Sequence, residues 1–268
     1  MRQTILLIAA LALVGCGKKT TPAEPEANGE PKAVAKIPSN AFVNTLGMPF
    51  VPVSGTDVSF CIWETRVKDY AAYAAANAGV DGSWKKPGFK QEETHPVVNV
   101  SWKHAQAFCE WLTKKELAEG KIKAGQKYRL PTDAEWSVAV GLGKELGDTP
   151  EAKHRGIKDV YPWGKEWPPP KAAGNYYKGL KVDNFEYTSP VGSFAANQHD
   201  LHDMGGNVYE WCKDWYDPAE TAYRVLRGAS WGDLYPGGLL SSGRGDLTPD
   251  YRSDFIGFRC VLVGGSGG

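Results

Sequence analysis

The sequence predicts an α+β domain in which loops outweigh both helices and strands. Three observations lead there. Helical periods stop at Gly141. The β-branched runs are brief. The 268 residues include 31 Gly, 12 Tyr and 10 Trp, which suits a rigid, loop-rich body with bulky aromatics in its core or at a binding face and argues against a helical bundle. Apolar residues at 42% and charged residues at 23% are globular values. Lys+Arg and Asp+Glu are tied at 31 each, so the basic excess that a phosphate backbone calls for is missing and no nucleic-acid partner is expected.

The first element is an address. Arg2 precedes an apolar run from Ile5 to Val14 that is too short to span a bilayer as a helix. Leu13-Val14-Gly15-Cys16 then reads as a lipoprotein cleavage box, making residues 1–15 a signal peptide. Cys16 would carry a diacylglycerol and an N-acyl chain, which together meet the two-chain requirement for stable anchoring in a membrane. No Asp follows Cys16, so the expected location is extracytoplasmic, at an outer membrane or cell surface. Residues 16–40 are rich in Pro, Glu, Lys, Ala and Thr without an apolar period, a solvated tether. The folded domain is expected over 41–263, with 264–268 as a tail.

Within that domain Glu64 to Ala78 is Ala-rich and helical, stopped by Gly79. Pro96 to Val100 predicts a short strand. Ser101 caps a second helix, whose Ala105, Phe108, Cys109 and Leu112 form one apolar stripe and turn Cys109 inward. Thr132 and Glu135 form a capping box that opens a third helix through Val140. The following 120 or so residues are mostly irregular, with brief strands near 225–227 and 258–263; a long irregular stretch in a compact domain is usually functional or braced by metal or disulfide. Four cysteines remain after Cys16: Cys61, Cys109, Cys212 and Cys260. In an exported chain they allow disulfides in three complete pairings, and spacing does not choose. His199 and His202, lacking further ligands nearby, read as polar loop residues.

The motifs carry a resemblance. His95-Pro96-Val97-Val98-Asn99-Val100-Ser101-Trp102, Tyr128-Arg129-Leu130-Pro131-Thr132-Asp133-Ala134-Glu135-Trp136, Tyr161-Pro162-Trp163-Gly164, Asp203-Met204-Gly205-Gly206-Asn207-Val208-Tyr209-Glu210-Trp211, Arg227-Gly228-Ala229-Ser230-Trp231 and Gly257-Phe258-Arg259-Cys260 occur in one order over about 41–263. The series resembles the formylglycine-generating enzyme, or sulfatase-modifying factor, family. That resemblance implies a variant of the C-type lectin fold and a Cys109–Cys260 disulfide; Cys61 and Cys212 either pair with each other or are buried thiols. It also implies two structural Ca²⁺ sites. One would use the side chains of Asn175 and Asp183 with the carbonyls of Tyr176 and Phe185. The other would use Asp203 and Glu210 with the carbonyls of Gly206 and Val208. Hard oxygens from bent loops are what Ca²⁺ takes.

The chain departs from the family at its chemistry. The enzyme's two copper-binding cysteines align with Asp233 and about Gly238, and no cysteine lies between Cys212 and Cys260. A carboxylate and a glycine supply no thiolates, so no copper and no formylglycine formation are expected, and catalytic residues are assigned to none. Residues 232–255 contain no Lys, Glu, Gln, Met or Trp, although the other 244 residues hold 56 of them, a density that would place between five and six in such a stretch. Every residue present has a codon ending in a pyrimidine, the set obtained when AAY codons are randomised at their adenines. The pattern resembles the variable proteins of diversity-generating retroelements. It implies a binding surface made from Gly232, Asp233, Leu234, Tyr235, Gly237, Gly238, Gly243, Gly245, Asp246, Leu247, Asp250, Tyr251, Ser253, Asp254 and Phe255, punctuated by fixed residues Trp231, Arg244, Pro249, Arg252 and Ile256. Tyr and Phe give contact area while Gly, Ser and Asp give adaptable polar contacts. The expected partner is a protein or other molecule of a host or cell surface. Two other readings stay open: an oxidoreductase or maturation factor of the same family with an unrecognised site, and a fixed-specificity envelope lipoprotein.

Overall fold

The computed structural model describes residues 35–264; the expected signal peptide, Cys16, most of the expected tether and the last four residues lie outside them. Two small sheets organise the chain. The first is antiparallel, in the order β1-β2-β3-β9-β4, built from Phe42–Val43, Pro49–Pro52, Val58–Cys61, Val261–Val263 and Lys127–Arg129. The second runs β7-β6-β5-β8, from Gly245–Leu247, Arg224–Arg227, Tyr209–Trp215 and Ile256–Gly257. The last strand of the chain sits inside the first sheet: Val261 pairs with Phe60 on one side and Arg129 on the other.

Three helices form; the second and third follow their caps, and the first begins at Val67 and ends at Ala76, shorter at both ends than the expected Glu64–Ala78, with Glu64 outside it. α1 (Val67–Ala76) and α2 (Trp102–Ala118) pack on the core. Ser101 Oγ accepts the His104 amide at 3.2 Å, and the α2 face of Ala105, Phe108, Cys109 and Leu112 is buried as its period predicts. α3 (Asp133–Ala139) opens with the reciprocal Thr132–Glu135 box. Short single-turn pieces, α4 (Pro150–Lys153) and α5 (Pro236–Leu239), both start with Pro at their first turn, where a missing amide costs nothing.

Two expected strands take other forms. Residues 96–100 make only an isolated bridge, Arg66 to Pro96, because Asn99 adopts a left-handed φ of 56° that ends any extended run. The stretch 258–263 is split. Phe258, Arg259 and Cys260 are completely buried and carry the chain from β8 in one sheet to β9 in the other. Trp136, Trp211, Phe108 and Phe258 are among the fully buried side chains of the core between these elements, each worth roughly 1.5–3 kcal/mol by burial.

Candidate functional site

The glycine-rich segment between β6 and β8 forms one wall of an open cleft of about 490 Å³. Eight expected contact residues line it: Gly232, Asp233, Gly245, Asp246, Leu247, Tyr251, Ser253 and Phe255, with Tyr209, Leu226, Ser230 and Ile256 supplied by the scaffold. Asp233 is fixed, not free. Its Oδ1 accepts the Tyr209 hydroxyl at 3.0 Å, and its Oδ2 accepts the Ser230 amide and hydroxyl at 2.9 and 2.7 Å. Burial, reinforced by the Asp233 charge, raises Tyr209 above the ordinary phenol range, so its hydroxyl stays a donor at neutral pH. Trp231 is half-buried. Its indole donates to the Asp254 carbonyl at 3.1 Å and stacks on Phe255 at 4.4 Å. Tyr187 meets Trp231 edge-on at 5.1 Å and lies parallel to Phe89 at 4.5 Å. Tyr235 and Tyr251 stand out at 72% and 47% exposure, and Asp246 and Asp250 are exposed. Leu234, Gly237, Gly238, Gly243 and Asp254 are half-buried outside the cleft lining.

The sequence reads 232–255 as one exposed patch, but only part of it is surface. Leu239, Leu240, Ser241, Ser242 and Arg244 are buried. Arg244 is the reason. Its Nε and Nη2 donate to the two oxygens of Asp133 at 3.0 and 2.9 Å, and its Nη1 and Nη2 to the two oxygens of Glu145 at 2.8 and 2.7 Å. Arg227, completely buried, adds a 2.6 Å bond to Asp133 Oδ1 and takes the Ser241 and Gly243 carbonyls. Burial alone would raise Asp133 and Glu145, but the arginines outweigh it and hold both carboxyls below their ordinary values. Bidentate pairs of this kind fix orientation as well as position. The segment is therefore a surface strung on a buried ionic anchor. Arg252 adds a rim tie, reaching Asp81 at 2.7 Å.

The two positions that the resemblance sets against copper-binding cysteines, Asp233 and about Gly238, lie close together. A Cβ on Gly238 would lie 3.7 Å from Asp233 Oδ1.

The expected calcium ligands divide. Asn175 donates through Nδ2 to the Tyr187 carbonyl at 2.8 Å, and its Oδ1 is buried without a partner. Asp183 accepts the amides of Tyr176 and Phe185 at 3.1 and 2.8 Å, which shapes the loop that presents those two carbonyls. Asp203 accepts the Gly192 amide at 2.7 Å through Oδ2, and its Oδ1 is buried and unpartnered. Gly206 holds a φ of 82°, a turn that a side chain would strain. Glu210 departs from the expectation. It receives Arg259 Nε on both oxygens at 2.8 Å, Arg259 Nη2 at 2.6 Å and the Trp136 indole at 2.9 Å, which uses up its lone pairs.

Glu64, which the motifs did not single out, has both oxygens buried without a donor. Burial, with Asp203 adding to it, pushes Glu64 well above the usual carboxylate range. The available signal was a carboxylate in the apolar run Phe60-Cys61-Ile62-Trp63. Orphaned buried oxygens on Asn175, Asp203 and Glu64 are costly as they stand and fit a hard cation. Among the described residues no group of three or more His, Cys, Asp or Glu could hold a metal ion, so backbone and amide oxygens would have to complete either site.

Cys109 and Cys260 are buried with sulfurs 3.5 Å apart. All four described cysteines are free thiols in this structure, Cys61 on β3 and Cys212 on β5 included, so the expected Cys109–Cys260 bridge is not formed in it. Burial pushes the Cys61 thiol up to about 12, which makes it inert.

Two small sheets, a helix-braced core and long anchored loops define a C-type lectin-like scaffold of the formylglycine-generating type. The chain belongs to the family described as the sulfatase-modifying factor enzyme 1-like domain, whose model matches residues 15–263. It is 36% identical over 197 residues to the inactive C-alpha-formylglycine-generating enzyme 2 of Bos taurus, covering 68% of this chain and 56% of that protein. It is 34% identical over 206 residues to the formylglycine-generating enzyme of Streptomyces coelicolor, covering 66% and 57%. The chain thus spans little more than half the length of these curated relatives. The fold is shared with Treponema denticola variable protein 1, at a TM-score of 0.51 and 20% identity, over 82% of this chain and 93% of that one.

Proposed function

We propose that this protein is a lipid-anchored display protein that binds ligands through the diversified surface of residues 232–255 and catalyses nothing. The observation that carries the reading is the division inside that segment: Gly232, Asp233, Gly245, Asp246, Leu247, Tyr251, Ser253 and Phe255 line a cleft and Tyr235 is exposed, while the buried stretch 239–242 and Arg244 hold the segment from below. A surface built this way can change its contacts without disturbing its support. The similarity to an inactive family member supports the absence of catalysis, as do Asp233 and about Gly238 at the positions the resemblance sets against copper-binding cysteines. The partner would be a protein or other molecule of a host or cell surface, met at an outer membrane or cell surface by a domain tethered through Cys16. Calcium would be structural, held at one site by Asn175, Asp183 and the carbonyls of Tyr176 and Phe185. At the other it would be held by Asp203 and the carbonyls of Gly206 and Val208, with Glu64 in place of Glu210. The bound ion would neutralise buried carboxylates and stiffen loops that bury little apolar surface.

Replacing Tyr235, Asp246, Leu247 and Tyr251 together by another set from the same codon pool tests the binding claim. The purified domain should retain a different group of molecules on a printed protein and glycan array, with Tm nearly unmoved. An unchanged array pattern would count against the surface. Cys16→Ser should move the protein from the membrane fraction to the soluble one, and continued membrane partitioning would remove the anchor.

A further inference from the structure

A second cavity, of about 390 Å³, opens where α2, β4 and the β5–β6 pair meet, and it shares no lining residue with the loop cleft. Its volume is within the range of small-ligand sites. Its floor is apolar, with Cys109, Tyr128 and Leu130 buried. Its rim is cationic. Lys127 and Lys213 are exposed there, with no carboxylate partner among the described residues. Arg129 also reaches the lining but is consumed by its bidentate pair with Glu135 at 2.6 and 2.7 Å.

Arg224 is the organised cation. Its guanidinium lies over the Trp102 ring at 3.9 Å and the Trp215 ring at 3.3 Å. One terminal nitrogen donates to the Lys213 carbonyl at 2.6 Å, and its Nε is buried without a partner. The acid on the lining, Glu110, accepts from Gln106 at 3.0 Å. Asp214, the carboxylate whose field reaches Arg224, is engaged by the Asp133 amide at 2.7 Å. Three cations without carboxylate partners are thus gathered above an apolar floor, and one of them is held rigid between two indoles. Clamping a planar guanidinium in this way lowers the entropy it loses on meeting an oxyanion.

We propose that this cavity binds a small organic oxyanion, a phosphate or chemically similar group carried on an apolar body. The oxyanion is met by Arg224 and the two lysines through charge-assisted bonds. The apolar body lies on Leu130 and Tyr128. The site needs nothing from the loop surface, so either stands if the other falls.

The test is a titration of the purified protein with phenyl phosphate, inorganic phosphate and phenol at constant ionic strength, read by tryptophan fluorescence and by Tm. Phenyl phosphate should give a saturable change in both, with a Kd roughly tenfold or more below that of inorganic phosphate, and phenol should give none. The double variant Lys127→Glu, Lys213→Glu changes exposed side chains only. It should unfold at the parent Tm and bind phenyl phosphate at least roughly tenfold more weakly. Absence of any response in the parent, or an equal response in the double variant, overturns the site. Equal affinity for the two phosphates overturns the claim of an apolar-bodied ligand.

Discussion

Arg244→Met is the substitution that separates anchor from surface. The native side chain is completely buried and makes four bonds to the carboxylates of Asp133 and Glu145 and one to the Ser242 carbonyl at 2.9 Å. Methionine keeps much of the volume and none of the bonds. Removing one partner of a buried ion pair costs about 3–5 kcal/mol, because the other charge is left without compensation. Here Arg227 still reaches Asp133, and Ser137 still donates to Glu145 at 2.6 Å. The expectation is therefore the lower end, about 3 kcal/mol. For a domain of this size that lowers Tm by roughly 6–12 °C. Circular dichroism melts and urea midpoints measure it, with Tyr235→Ala and Tyr251→Ala as controls expected within about 0.5 kcal/mol of the parent. An Arg244→Met protein within about 1 kcal/mol of the parent, or tyrosine variants that cost as much as it does, would refute the division into anchor and surface.

The same network sets an acid limit. Asp133 and Glu145 titrate below their unfolded values, so their contribution is fully present above about pH 4–5 and is lost as pH falls through the folded values; a urea midpoint that does not fall below pH 4 would contradict it. Chelation should lower Tm, since an ion bound only by the native state stabilises it, by about 4 kcal/mol at a thousandfold excess over Kd. Asp203→Asn should blunt that response, and a Tm indifferent to chelator would remove the calcium sites. Protein exported to an oxidising compartment should titrate two thiols in denaturant, from Cys61 and Cys212, with Cys109 and Cys260 joined. That bridge is worth roughly 4–5 kcal/mol in the chain-entropy model, and four titratable thiols would rule it out.

What could be read from the chain followed how local the signal was. Ser101 with the Ala105–Leu112 stripe, and Thr132 with Glu135, specify their helices through contacts within two turns, and both helices form where those residues place them. The Pro96–Val100 strand failed on one backbone angle at Asn99, which β-branched neighbours do not reveal. The strands between Phe42 and Cys61 carry no alternation, because β3 is buried on both faces and β2 along three of its four residues. In the site, the motifs and codon set marked the segment that lines the cleft and picked out Arg244 as a fixed point within it. The Glu145 partner, 99 residues away, belongs to no motif and emerges only from the fold. Glu64 was hidden for a related reason. Its isolation from any donor is a property of what surrounds it in space, whereas Glu210 looked like a free ligand until Arg259 and Trp136 closed on it.

The contact residues are proposed to be drawn by mutation onto a fixed support. Sequencing the DNA beside the gene tests this most directly. A diversified surface requires a near-copy of the stretch encoding residues 232–255, carrying adenines at the positions where the two differ, close to a reverse transcriptase gene. The codons for Trp231, Arg244 and Ile256 should match between the copies, and those for Asp233, Tyr235, Asp246 and Tyr251 should differ. A locus with a single version of the stretch and no reverse transcriptase gene would contradict diversification and leave a binding protein of fixed specificity.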